Sequence, residues 1–62
     1  MFSLICALRV APDRVIEHRV KREFRSIEEA RLLAEKNKLA IAYRVFDKNG
    51  FRVYTKKLAE RG

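Results

Sequence analysis

Residues 39–57, LAIAYRVFDKNGFRVYTKK, decide how this chain folds: two alternating runs flank the turn-forming quartet Asp47-Lys48-Asn49-Gly50. The quartet fits a type I turn followed by glycine in a left-handed bulge. Such a turn pairs Val45 with Val53 and Tyr43 with Thr55, and puts Ile41 on the same face. The opposite face then gathers Ala42, Arg44, Phe46, Arg52, Tyr54 and Lys56. A two-residue Asn-Gly turn would shift the pairing by one. The bulged turn is preferred because it brings the β-branched residues together.

Just upstream, Ser26-Ile27-Glu28-Glu29 is a helix start. Ser26 can accept from a free amide of the first turn while Glu29 reaches back, and both acids favour the positive end of the helix dipole. The helix is expected to run to about Asn37, with Lys36 and Lys38 at its negative end. At about 100° per residue, Ile27, Ala30, Leu33 and Ala34 form one stripe, and its two alanines let the helix lie close to a sheet. Leu32 falls outside that stripe. If the protein dimerises through its helices, Leu32 is the residue expected in the seam.

The first part of the chain supplies two more strands. In residues 2–10, Phe2, Leu4, Cys6, Leu8 and Val10 share one face, with Ile5 and Ala7 on the other. A strand apolar on both sides belongs in the middle of a sheet. Ala11-Pro12-Asp13-Arg14 is a turn. In residues 15–24 the faces separate: Ile16, His18, Val20, Arg22 and Phe24 inward, Glu17, Arg19, Lys21, Glu23 and Arg25 outward. His18 and Arg22, the polar members of the inward set, are expected to reach solvent past the margin of the helix. The charged side suits an edge strand that must resist pairing with strangers.

The whole reads as one α+β domain over residues 1–62, a β-β-α-β-β two-layer fold. Strands are expected at about 2–10, 15–24, 39–46 and 51–57, and a helix at about 27–37. A right-handed crossover through the helix makes the second and third strands run the same way, so a central first strand gives a four-stranded antiparallel sheet in order 2-1-3-4. One helix covers one face. The other face is left open.

Composition narrows the function. The chain has 62 residues, 48% hydrophobic and 37% charged, which is globular rather than disordered. A domain of this size hides only about 60% of its unfolded surface, so good packing or self-association must help it. A homodimer is one such route. Cys6 is the sole cysteine, so no intramolecular disulfide forms, and with one histidine there is no ligand spacing for a metal; no cofactor is expected. Cys6 reads as a small core residue. Fifteen Lys and Arg against eight acids give net +7, which points to a polyanion. Catalysis is not expected: two glycines make no phosphate loop, two serines and one histidine make no triad, and Glu28 and Glu29 are explained by capping. The apolar start MFSLICALRV breaks at Arg9, well short of the roughly 20 residues that cross a membrane. It lacks the form of a signal peptide, and a cytoplasmic protein with no membrane partner is expected.

The open face carries the functional expectation. Arg19, Lys21 and Arg25 from the second strand, and Arg44, Phe46, Arg52, Tyr54 and Lys56 from the hairpin, interleave cations with aromatic rings. Cations neutralise phosphates and rings stack on bases, which is what single-stranded nucleic acid needs; duplex backbone would also fit. The expected function is therefore a small, non-catalytic nucleic-acid-binding module, DNA or RNA, with mainly phosphate-directed contacts. The alternative is a protein-interaction or inhibitor module that docks on an acidic protein surface or forms a homodimer, and Ile5, Ala7 and Ala42 would give it a small apolar patch. The joint Phe24-Arg25-Ser26-Ile27-Glu28-Glu29-Ala30 resembles the F-x-[ST]-x-E-E-A joint in arm-binding domains of phage-type integrases and in the hybrid-binding domain of ribonuclease H. The resemblance spans residues 24–30 and implies a nucleic-acid-holding module of a phage or mobile element. The integrase module differs in having three strands before its helix and no hairpin after it.

Overall fold

The structure, a computed structural model, describes residues 1–58. Its elements are β1 (Ser3–Ala11), β2 (Arg14–Arg19), α1 (Ile27–Lys36), β3 (Ala40–Phe46) and β4 (Arg52–Lys57). The strands form one antiparallel sheet in order β2-β1-β3-β4, and α1 packs on one face against β3 and β1. This is the two-layer α+β fold expected from the sequence. Leu4, Cys6 and Leu8 of β1 meet Ala30 and Ala34 of α1 and Tyr43 and Val45 of β3 in the core.

The helix forms as its sequence dictates. Ser26, extended in backbone, accepts the Glu29 amide on Oγ at 3.2 Å. Glu29 reaches back one residue further than the usual box, accepting the Arg25 amide at 2.8 Å. Ala30 and Ala34 are essentially inaccessible, so the helix approaches the sheet on its alanines while Leu32 stays outside. Asn37 turns the chain back, its Oδ1 accepting the Leu39 amide and its carbonyl accepting that of Ala40. Replacing Ser26 with alanine should cost about 1 kcal/mol. In a thermal melt of a domain this small that is a loss of about 4–8 °C.

Three irregularities correct the expected register. The first ends β2 at Arg19 rather than at residue 24. Val20 still donates to the Leu4 carbonyl, but the next pairing is the bridge between Phe2 and Phe24, which exchange both amide bonds at 2.8 and 2.9 Å. Lys21, Arg22 and Glu23 thus bulge out opposite Ser3 alone. Unbroken alternation would set Arg22 against Phe2. The bulge instead delivers Phe24 to the core at 1% exposure, with the Arg22 guanidinium 4.7 Å from its ring centroid.

The second irregularity lies between β1 and β3, where Ala7 pairs with Ala42 but Leu8 with Ala40. Ala40, not Ile41, therefore lies beneath the helix; a small residue fits a helix that approaches on alanines.

The third is in the hairpin. The turn itself is as expected: Gly50 has φ of 85°, its amide donates to Asp47 O at 3.0 Å, and Asp47 N donates to Phe51 O at 2.9 Å. Asp47 Oδ1 accepts from the amides of Asn49 and Phe51 as well. Phe46 then pairs with Arg52, but Val45 pairs with Tyr54, leaving Val53 as an extra residue. Tyr43 consequently faces Lys56, and Arg44 faces Thr55. The expected pairs Val45–Val53 and Tyr43–Thr55 do not form. The inserted Val53 is 42% exposed, whereas Tyr54 gains the aromatic surface of Tyr43. Among the described residues no helix is long and apolar enough to cross a membrane.

Candidate nucleic-acid interface

Antiparallel partners share a face, so the register places every side chain of the open face in cross-strand rows. One row runs Arg19, Ile5, Arg44, Thr55; the next runs Glu17, Ala7, Ala42, Lys57; at the hairpin end Ser3, Phe46 and Arg52 line up. Arg44 of β3 reaches diagonally over β1 to ion-pair with Glu17 of β2. It can do so because the residue between them is Ala7, whose side chain is too short to block the path. Beside Phe46 the face dips into a depression of about 350 Å³ lined by Ser3, Arg19, Glu23, Phe46 and Lys48, among others. Phe46 is half-buried, which leaves part of its ring available to a planar ligand.

Of the residues expected on this face, Arg19, Arg44, Phe46 and Arg52 are there together. Tyr54 and Lys56 are not. The Val53 insertion turns both to the helix side, which corrects their expected place. Lys21 and Arg25 leave the sheet: β2 stops before them, Lys21 lies in the bulge and Arg25 in the loop that enters α1. Lys57, which simple alternation would place beneath the helix, joins the open face by the same insertion, and the turn contributes Lys48 to the rim of the depression. No local signal marks an insertion at Val53. Only the company that Tyr54 keeps could have suggested it.

That company is a polar cluster clamping α1 to the hairpin. Tyr43, 1% exposed, donates its hydroxyl to Glu35 Oε2 at 2.6 Å and accepts from Arg31 Nε at 3.3 Å. Glu35 also pairs with Arg31 at 3.6 Å and with Lys56 at 3.8 Å. The Tyr54 ring lies 6.0 Å from that of Tyr43, and the Arg31 guanidinium 5.0 Å from the Tyr54 centroid. Burial, followed by the bond to Glu35, pushes the Tyr43 phenol up to about 12. The same bond holds the Glu35 carboxyl below its ordinary range. Tyr54 and Lys56 therefore take part in the contact between the helix and the hairpin.

The rest of the helix side is quieter. Cys6 is buried, and burial pushes its thiol up, which suits an unreactive core residue. His18 opposes Cys6 and lines a groove between β2 and α1. Leu32 is 63% exposed on the outer face of α1. Among the described residues no group of three or more His, Cys, Asp or Glu side chains could hold a metal ion. The chain matches no protein-family model, no curated protein and no solved structure.

Proposed function

We propose that this protein is a small cytoplasmic nucleic-acid-binding module that lays a strand across the helix-free face of its sheet. The observation that supports it is that Arg19, Arg44, Arg52 and Lys57 share one sheet face with the half-buried Phe46, on a chain of net charge +7. The cations take phosphates and Phe46 takes the face of an unstacked base, so binding is mainly phosphate-directed and tolerant of sequence. An acidic protein surface would use the same cations. It would leave the ring beside the depression without a purpose, and this favours nucleic acid.

Fluorescence titration of labelled single-stranded and duplex oligonucleotides at two salt concentrations tests the reading. With about four phosphates neutralised, log K should fall with log salt with a slope of about −3. Phe46→Ala should weaken single-strand binding by about 1–3 kcal/mol and leave that slope unchanged. Absence of binding at low salt, or binding indifferent to salt, would overturn the proposal.

A further inference from the structure

We propose that two copies of this chain join edge to edge through β2, antiparallel, about a two-fold axis at His18. The inference does not depend on the nucleic-acid reading. It begins from an edge that the fold leaves unfinished. All six residues of β2 are exposed, and α1 makes most of its sheet contacts with β3 and β1. The helix side of β2 consequently borders a groove of about 390 Å³, lined by Leu4, Cys6, His18, Val20 and Leu33 with Lys36 at its rim. Ile16 and Leu33, which a complete core would cover, are 38% and 37% exposed.

The backbone of this edge is set for pairing. Val20 donates inward to Leu4, and Ile16 and His18 share its parity along the β1 ladder. Val15, Glu17 and Arg19 therefore direct their amides and carbonyls off the edge of the sheet. A two-fold axis at His18 then opposes Glu17, whose carboxylate also holds Arg44 of its own chain, to Arg19 of the second copy, twice, on the open face. On the helix face it opposes Ile16 to Val20 of the second copy, also twice. Opposite charges and β-branched pairs are the cross-strand neighbours that stabilise a sheet. Moving the axis to Glu17 would set two carboxylates against each other. The other edge does not offer such a partner: Arg52–Lys57 contains Arg52, Lys56 and Lys57 and no acid, so a second copy would bring it only like charge. An axis perpendicular to the sheet keeps both helices on one side. The two four-stranded sheets become one, and the cations of both copies lie on the same face.

The register makes the test specific. His18 would face its own copy at a non-hydrogen-bonded position, where Cα atoms are about 4.5 Å apart, within the disulfide range of about 4.4–6.8 Å. His18→Cys, made with Cys6→Ala because Cys6 is the in-chain partner of His18, should oxidise to a covalent dimer. In sedimentation equilibrium the unmodified protein should show twice the chain mass. Glu17→Arg and Arg19→Glu should each shift it to monomer, with circular dichroism verifying the fold, and the double swap should restore the dimer. A protein that stays monomeric at millimolar concentration overturns the proposal. So does a dimer indifferent to the swaps, or one lost on Leu32→Glu alone, which would place the seam on the helix.

Discussion

Phe24→Ala is expected to abolish the cooperative urea transition of this protein, followed by far-UV circular dichroism at fixed protein concentration. Phe24 is 1% exposed and among the largest fully buried side chains. It enters the core through a two-hydrogen-bond bridge to Phe2, outside the named strands, so no continuous ladder would hold the segment once the ring is removed. Truncating a buried phenylalanine costs about 3–5 kcal/mol. A domain of 62 residues has a total of roughly 3–9 kcal/mol to lose. The same variant frees the bulge that carries Lys21, Arg22 and Glu23, because Phe24 is what closes it. Phe24→Leu keeps most of the volume and should retain a measurable transition. If Phe24→Ala unfolds within about 1 kcal/mol of the parent, the bridge is not the anchor described above.

The second large effect is a loss of stability in alkali. The Tyr43 phenol is protonated and donating in the folded protein, and its ionisation is pushed from 10 up to about 12, first by burial and then by Glu35. A folded-state value above the unfolded one means that the contribution is fully present below pH 10 and is lost as pH rises toward about 12. That interval corresponds to a loss on the order of 3 kcal/mol. The hydroxyl meets Arg31 and Glu35, whose side chains are 36% and 35% exposed, so solvent screening makes that figure an upper bound. Denaturant midpoints taken below and above this window should therefore drop steeply. Tyr43→Phe, which cannot ionise, should be less stable than the parent at neutral pH by about 1 kcal/mol. It should then lose correspondingly less across the window. Parallel declines would show that the hydroxyl is not held as described.

Much of this architecture is legible in the residues themselves. The β1 run apolar on both faces, the Ser26–Glu29 cap and the Asp47–Gly50 turn each have a local physical cause, and together they fix the element order and the sheet order. What alternation cannot carry is parity past an irregularity. Counting by twos from Gly50 is right for Arg52 and wrong for Tyr54 and Lys56, because Val53 adds a residue that nothing local announces. The second strand fails in the same way: counting from Ile16 is right for His18 and has lost its meaning by Lys21 and Arg25, which the bulge before Phe24 carries off the sheet. Half of the candidate interface is therefore readable from sequence, the half nearest each reliable anchor. The remainder depends on tertiary choices, namely whether Tyr54 packs on Tyr43 and whether Phe24 reaches the core. Those are decided by the volume beneath the helix rather than by neighbours in the chain.

The ion pair that spans Ala7 has a consequence for selectivity. Glu17 is a tethered anion held against Arg44 in a solvent-exposed pair, a contact worth up to about 1 kcal/mol. Any ligand reaching for Arg44 must first displace it. Under the proposed nucleic-acid reading, isolated phosphates are disfavoured at Arg44, whereas a polyanion that engages Arg19, Arg52 and Lys57 at the same time can supply the exchange. Under the same reading, the short side chain of Ala7 sets a threshold on the length of the partner rather than on its chemistry.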